Sequence, residues 1–307
     1  MAGQPIVIGV DGSPEGAAAA RAGWTLAHAA GVDCQLVHAT RDVRTALDMA
    51  GSGVSLDALE LAMLARARTD IVIALRNHLP SPLLDRLVVR PGKTAAVLTD
   101  VIAESDGQLL VLGGKHHSTL GRWLGGSTVQ HVVRRLSVPL LVTTGALPPR
   151  PRVLVAVDAS YAAHETIEQA TAFARVLGGP LHAVHVIEPA ETFADALFLP
   201  DPLNFEAWSR ERMERDIWPL LPIPDHHKVI RRGIPIEAIA EEATAWRADV
   251  IVVGSHGKGW VDRLLIGSVT EALLNDLPSA VLVVPVPAPI RPQTVPARRR
   301  MVAALGS

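Results

Sequence analysis

Short runs of apolar residues alternate along the chain with longer stretches in which apolar residues recur at helical spacing. A run that is apolar at every position is typical of a strand buried on both faces of a parallel sheet. The pattern predicts strands near residues 5–10, 35–39, 86–90, 109–113 and 139–143, and again near 152–157, 181–187, 227–231, 249–253 and 280–284. Ser13 and Pro14 predict a helix start after the first strand, and Leu56 to Asn77 predicts a long helix after the second. The fold class is therefore α/β.

The chain contains an internal repeat. The run Ile6–Ser13 recurs 147 residues later as Val153–Ser160, and Leu109–Gly113 recurs 141 residues later as Val250–Gly254. Each copy predicts a doubly wound sheet of five parallel strands, so we expect two tandem Rossmann-like domains. The proline-rich segment Gly145–Pro151 is typical of a linker. We expect a first domain at 1–146, a second at 151–287 and a C-terminal tail at 288–307.

Composition and charge narrow the range of partners. The chain carries 29 Lys and Arg against 31 Asp and Glu, a formal net charge of -2, so it has no overall cationic field to hold nucleic acid or an anionic membrane. Its one cysteine, Cys34, excludes an internal disulfide and is expected to be a small buried hydrophobe in a reducing compartment. Asp11 interrupts the first apolar run far short of a membrane-spanning length, and no basic segment precedes that run. We expect a cytoplasmic protein without a signal peptide or a transmembrane helix.

An acidic residue follows the first predicted strand of each copy. These residues are Asp11 and Asp158. In open α/β sheets ligands bind outside the carboxyl ends of the strands, so either carboxylate could accept hydrogen bonds from a base or a ribose. Either could equally cap the helix that follows. The sequence leaves both roles open.

A glycine-rich segment follows the fourth strand of the second copy. Gly254 and Gly257 allow close approach to the backbone, and Gly267 with Ser268 opens a helix whose unpaired N–H groups would attract an anion. The standard phosphate motifs do not fit. Leu87 stands where a Walker loop ending in Gly92-Lys93-Thr94 needs its first glycine, and Asp262 stands where a Rossmann fingerprint starting at Gly257 needs its third. No serine has the flanking glycines of a nucleophile elbow.

The spacing Gly254-x2-Gly257-x9-Gly267-Ser268, between a strand and a helix, resembles the ATP-binding motif of the universal stress protein family. The first-strand acids and Gly233-Ile234-Pro235 also resemble that family, so the similarity covers nearly the whole chain. The resemblance implies binding of ATP, with or without Mg²⁺. It implies a site in the second copy made of Asp158, the main chain at Val186, Gly254, His256, Gly257, Gly267, Ser268, Val269 and Thr270.

The first copy departs from this pattern. His116 stands where the second glycine of the motif belongs, and its side chain either intrudes on the phosphate space or donates a hydrogen bond to phosphate. The equivalent residues therefore form a weaker, second-rank site. They are Asp11, Ala39, Gly113, Gly126, Ser127 and Thr128.

The remaining histidines do not predict a metal centre. The pairs His116-His117 and His226-His227 lack a cysteine or a regular carboxylate spacing that would complete a coordination shell. His38 and His185 repeat at the end of the second strand of each copy, and we expect them to be hydrogen-bonded imidazoles rather than catalytic groups.

The resemblance also implies how the chain acts. We expect a stress-response sensor that changes its assembly or its regulatory protein partner on binding ATP, not an enzyme, because no candidate base or nucleophile is found. A slow ATPase and a nucleotide-independent scaffold are the alternatives. The closing strands Pro139–Val142 and Ala280–Val284 would be sheet edges, and they could pair between the two halves or between two chains in a homodimer.

Overall fold

The computed structural model describes residues 3–41, 56–114, 127–189, 205–255 and 266–285. The strands of the first copy are β1 (Ile6–Gly9), β2 (Cys34–Thr40), β3 (Val88–Pro91), β4 (Leu109–Gly113) and β5 (Leu140–Thr143). The strands of the second copy are β6 (Val153–Ala156), β7 (Leu181–Ile187), β8 (Lys228–Arg232), β9 (Val250–Gly254) and β10 (Ala280–Val284). Each strand overlaps a hydrophobic run that predicted it, and the α/β class is confirmed.

Helices connect the strands in both copies. The first copy has α1 (Pro14–Ala30), α2 (Leu56–Leu75), α3 (Ser81–Asp85), α4 (Thr94–Ser105) and α5 (Ser127–Val133). The second has α6 (Ala162–Leu177), α7 (Phe205–Arg212), α8 (Pro235–Trp246) and α9 (Ser268–Asp276), and α7 continues as a π-helical turn, Met213–Ile217. The predicted helix start is confirmed, because the Ser13 hydroxyl accepts a hydrogen bond from the Gly16 amide at 3.0 Å and Pro14 occupies the first turn.

Five parallel strands form each half of the sheet. The order is β3-β2-β1-β4-β5 in the first half and β10-β9-β6-β7-β8 in the second. The first strand of each copy is central, with Ile8 beside Leu36 on one side and Val111 on the other. Two tandem doubly wound sheets are therefore present, and the acid that follows each first strand stands at the topological switch point.

The side chains of each strand alternate between two layers of helices. Ile6 and Ile8 belong to the hydrophobic cluster on one face, which includes residues of α1, α2 and α6, and Val7 belongs to the cluster on the other face, which includes residues of α4, α5, α8 and α9. Both faces are covered, which explains why the strands are apolar at every position. Cys34 belongs to this core, where burial raises the pKa of its thiol to about 11 and leaves it protonated, as expected for a buried structural cysteine.

The two halves join through their closing strands. β5 and β10 pair antiparallel, with Leu141 beside Leu282, so the chain forms one ten-stranded mixed sheet within the described residues. Of the two edge pairings that the sequence left open, the structure has the one within the chain. This pairing occupies both edges through which we expected a homodimer, so a homodimer would have to use another surface.

Contacts on the α5–α9 face of the sheet reinforce this seam. The side-chain nitrogen of Gln130, Nε2, lies 3.4 Å from both Glu271 Oε1 and Asn275 Oδ1, so α5 contacts α9 across the two halves. Gly114, just after β4, leaves no space for a side chain, because a Cβ there would collide with Leu277 of the other half and lie 2.7 Å from Val142. The two copies therefore pack closely against each other.

Candidate functional site

The ends of three neighbouring strands define the candidate site in the second copy. β9, β6 and β7 lie side by side and run in the same direction. Gly254 ends β9, Asp158 follows β6 by two residues, and Val186 is half-buried near the end of β7. The fold thus brings these three sequence-predicted residues to one edge of the sheet, within a few strand spacings of about 4.8 Å.

The glycine-rich segment is closed at its base. The Gly267 amide donates to the Ser255 carbonyl at 2.9 Å, and the Ser255 amide donates to the Val284 carbonyl of β10 at 2.7 Å. The two ends of the segment therefore meet at the carboxyl edge of β9. His256 and Gly257, which the sequence also predicts in the site, lie outside the described residues.

Helix α9 begins at this closure with a glycine N-cap. Gly267 has φ −57° and ψ 140°, and among the described residues no side chain makes a capping hydrogen bond to the first turn. The Glu271 amide makes the first helical bond, to the Gly267 carbonyl at 2.8 Å. The amides of Ser268, Val269 and Thr270 therefore precede the helical ladder, where N–H groups and the helix dipole favour an anion.

The two hydroxyls in the first turn of α9 differ. Thr270 is buried, and its hydroxyl donates to the Gly254 carbonyl at 2.7 Å. Its single proton ties α9 to the end of β9, so Thr270 cannot offer that proton to a ligand without breaking this bond. Ser268 is exposed. Ser268 is thus the better placed hydroxyl for contacting a ligand, and Thr270 positions the helix.

Asp158 holds a tight turn at the end of β6. Its Oδ1 accepts hydrogen bonds from the Ser160 hydroxyl at 2.6 Å and from the Ser160 amide at 3.2 Å. The Ser160 hydroxyl in turn accepts from the Ala162 amide at 3.1 Å, so the serine and not the acid caps the helix. Oδ2 of Asp158 makes no hydrogen bond to a described residue, and the half-buried carboxylate keeps one oxygen for a ligand.

The first copy repeats part of this arrangement. Asp11 Oδ1 accepts from the Ser13 hydroxyl at 2.5 Å, and Ala39 lies in β2 at the position equivalent to Val186. Thr128 lies in α5 and Ser127 begins that helix, whereas Gly126 and His116 lie outside the described residues. The described residues therefore include only part of the predicted second-rank set.

Gly113 has a packing role that the sequence did not indicate. A Cβ at this position would lie 2.6 Å from the backbone carbon and oxygen of Glu15, so the end of β4 and the start of α1 approach too closely for a side chain. This contact explains the glycine without a ligand. The glycine at this point of the first copy is therefore not evidence of nucleotide binding.

The repeated histidines are hydrogen-bonded, as predicted. His38 Nδ1 lies 2.7 Å from the Val10 carbonyl, and His185 Nδ1 lies 2.8 Å from the Val157 carbonyl. Each imidazole therefore ties the second strand of its copy to the residue before the acid. This bond fixes the strand end from which Asp11 or Asp158 projects.

Two exposed apolar residues beside the site were not predicted from the sequence. Tyr161 follows the Asp158 turn and is 49% exposed, and Ile234 follows β8 and is 50% exposed. Ile234 belongs to the Gly233-Ile234-Pro235 motif, which resembles the family but does not indicate an exposed side chain. A comparison of the two copies could have indicated both residues, because Pro14 and Lys93 occupy the equivalent positions of the first copy.

An ionic network at the β8 edge of the second sheet was also missed; its His182 and Glu242 are buried, and its Arg231 is exposed. His182 Nε2 lies 2.8 Å from Glu242 Oε1, and Arg231 binds the other oxygen of Glu242 at 2.6 Å through its Nε. The His182 ring stacks on Trp246 with the ring centroids 4.9 Å apart, and its Nδ1 lies 3.3 Å from His227 Nδ1. This network joins β7, β8 and α8, and its Arg231 lies beside Val186 in the sheet.

We expect the protein to become less stable as the pH is lowered, because this network contains His227. Burial lowers the pKa of His227 below its ordinary value of 6.5, and the nearby His226, His182 and Arg152 lower it further. Between the two values the unfolded chain binds more protons than the folded one, so the contribution of neutral His227 to the free energy of unfolding is present above pH 6.5 and decreases as the pH falls below it. The denaturation midpoint should depend less steeply on pH in His227→Gln than in the unaltered protein. An unchanged slope would show that other groups cause the loss of stability at low pH.

No group of three or more His, Cys, Asp or Glu side chains that could hold a metal occurs within the described ranges. Among the helices that the structure describes, none is both long and apolar enough to cross a membrane.

Comparison with known proteins identifies the family. The universal stress protein family model matches the chain twice, at residues 3–144 and 149–285. The chain therefore belongs to the universal stress protein family, with two tandem copies of its domain, and the resemblance noted in the sequence is confirmed.

Individual relatives agree with this assignment. A universal stress protein of Mycobacterium tuberculosis is 28% identical over 297 residues, covering 88% of this chain and 93% of that protein. A universal stress protein of Thermus aquaticus is 30% identical over 132 residues, covering 43% of this chain and 96% of that protein. The solved structure of a universal stress protein from Archaeoglobus fulgidus has a TM-score of 0.59 at 20% identity, covering 92% of this chain and 98% of that one, and it supports the fold alone.

Proposed function

We propose that this universal stress protein binds ATP, with or without Mg²⁺, at the carboxyl edge of its second sheet. The observation that supports this most is the glycine-capped N-terminus of α9, held beside the end of β9 by the Gly267–Ser255 and Thr270–Gly254 hydrogen bonds. A helix start with a glycine N-cap gives a phosphate both N–H donors and room. The predicted His256 and Gly257 would complete this phosphate contact.

The remaining residues fit the other end of a nucleotide. Asp158 offers one fixed carboxylate oxygen, which can accept from a ribose hydroxyl or an exocyclic amine. The main chain at Val186 lies one strand further along the sheet. A nucleotide would then extend along the strand ends, with its phosphates at α9 and its base toward β7.

We propose that binding acts by changing the assembly or the regulatory partner of a cytoplasmic protein, not by turnover. A ligand at about 100 times its dissociation constant stabilises the bound state by about 2.7 kcal/mol, which can reverse a small conformational preference. Helix α9 contacts α5 of the first copy through Glu271 and Gln130. The phosphate site and the seam between the copies therefore share one helix, through which occupancy could be transmitted.

Substitution of the two equivalent acids, Asp158 and Asp11, tests which copy binds the nucleotide. We expect Asp158→Asn to weaken ATP binding roughly tenfold, because an amide can keep the turn with Ser160 but places a donor where the free oxygen was. The matched control is Asp11→Asn in the first copy, which should leave the affinity unchanged. Isothermal titration of both variants decides the matter, and equal losses in the two, or a loss only in Asp11→Asn, would contradict a site in the second copy.

A further inference from the structure

Two large apolar side chains remain exposed on either side of β7. Tyr161 immediately precedes α6, next to the Ser160 hydroxyl that caps this helix, and Ile234 is the N-cap of α8, two residues after β8. Both belong to the few large apolar residues that are about half exposed. Neither position requires an apolar residue for helix capping, where a small polar residue is preferred.

The two residues lie on either side of β7. β6 and β8 are separated by β7 alone, so their axes lie about 9–10 Å apart at a strand spacing of about 4.8 Å. The helices that follow Tyr161 and Ile234 pack on opposite faces of the sheet, α6 on the face of Ile8 and α8 on the face of Val7. A planar group above the end of β7 would therefore have one of the two residues on each side.

Tyr161 also lies beside the acid of the site. It follows Asp158 by three residues, and partial burial and the negative charge of Asp158 raise the pKa of its phenol above its ordinary value of 10. The Tyr161 hydroxyl makes no hydrogen bond to a residue in the described ranges. The position of the ring is thus not explained by a hydrogen bond that the fold needs.

The pair occurs in only one copy. Pro14 stands at the position of Tyr161 in the first copy, and Lys93 stands at that of Ile234. The second alignment is supported by the backbone, because the preceding residues Gly92 and Gly233 have φ values of 134° and 133°. The apolar pair therefore accompanies the copy that retains the full glycine pattern.

We infer that Tyr161 stacks on the base of the nucleotide bound by the second copy, with Ile234 as the opposite wall. This inference rests on the proposed function and adds the choice of base to it. Stacking area is larger for a purine than for a pyrimidine, so the pair favours ATP over CTP. Pro14 and Lys93 offer no such clamp, which gives the first copy a different preference or none.

The test compares three substitutions by isothermal titration with ATP and CTP. Tyr161→Ala should weaken ATP binding at least about tenfold, the effect usual for loss of one base–aromatic stack, and should reduce the preference for ATP over CTP. Tyr161→Phe keeps the ring and should bind ATP within about twofold of the unaltered protein. Val176→Ala is the matched control, since Val176 is 38% exposed at the far end of the same helix, roughly 20 Å away.

The possible results distinguish the stacking contact from the proposed function. Unchanged ATP affinity in Tyr161→Ala, with ATP still bound by the unaltered protein, would overturn the stacking contact and leave the proposed function standing. Failure of the unaltered protein to bind ATP would overturn the proposed function, and the contact with it. A loss in Tyr161→Phe equal to that in Tyr161→Ala would assign the effect to the hydroxyl and also overturn the stack.

The only tyrosine in the sequence gives a second readout. Tyrosinate absorbance in the near ultraviolet reports Tyr161 alone, so its titration can be followed without labelling. ATP should raise the pKa of Tyr161 further, because a stacked base buries the phenol and the phosphates add negative charge. An identical titration with and without saturating ATP would contradict the contact.

Discussion

Gly267→Asp is expected to remove ATP binding and leave the fold intact. Gly267 has φ −57° and ψ 140°, a conformation open to any residue, and aspartate is among the preferred N-caps. The new carboxylate would accept the first-turn amides of α9 and so compete with phosphate for the same donors. Repulsion between the two anions adds about 1–4 kcal/mol at a separation near 4 Å, so we expect a loss of about 100-fold in affinity.

The uncharged Gly267→Asn variant is the matched control. Asparagine caps a helix about as well as aspartate and has nearly the same shape, so its comparison isolates the charge. We expect a much smaller loss of affinity in Gly267→Asn, and thermal denaturation midpoints at or above that of the unaltered protein in both. Equal ATP affinities for the Asp and Asn variants in titration calorimetry would mean that no phosphate lies at the start of α9.

Leu282→Ala is expected to destabilise the whole sheet. Leu282 is 2% exposed in β10 and lies beside Leu141 of β5, where the two halves join. Removing a buried leucine typically lowers the free energy of unfolding by about 2–5 kcal/mol, because apolar contacts are lost and a cavity remains. That is a large part of the roughly 5–15 kcal/mol that stabilises most proteins. Chemical denaturation monitored by circular dichroism measures the difference.

Leu61→Ala provides the comparison at the surface. Leu61 is 67% exposed in α2, and its truncation should change the free energy of unfolding by less than about 0.5 kcal/mol. If Leu282→Ala were as mild as Leu61→Ala, the β5–β10 seam would not be a packed interface. The continuous ten-stranded sheet would then be contradicted.

Much of the fold could be predicted because the repeat and the hydrophobic runs carry local information. Strands such as Val250–Gly254 are apolar at every position, and this pattern occurs only where helices cover both faces. The positions of the acid and the glycine could also be predicted, because Asp158 follows a strand and Gly267 stands at the start of a helix. The local chemistry of turns and caps thus predicts which residues reach the edge of the sheet.

Contacts between distant segments could not be predicted from one sequence. The closing strands were recognised as edges, but nothing local distinguishes pairing within the chain from pairing between chains. His182 and Glu242 are 60 residues apart, and each alone reads as an ordinary surface residue. The packing of Gly113 against Glu15 was missed for the same reason, because only the fold brings the end of β4 onto α1.

The most direct test of the account is the number of ATP molecules bound per chain. Freshly purified protein would be heat-denatured and the released nucleotide chromatographed, and equilibrium dialysis with labelled ATP would follow on protein stripped of nucleotide. We expect close to one ATP per chain, lost in Gly267→Asp and kept in Asp11→Asn. No bound nucleotide from either procedure, with no thermal shift on adding Mg-ATP, would contradict it and favour a scaffold that does not use ATP.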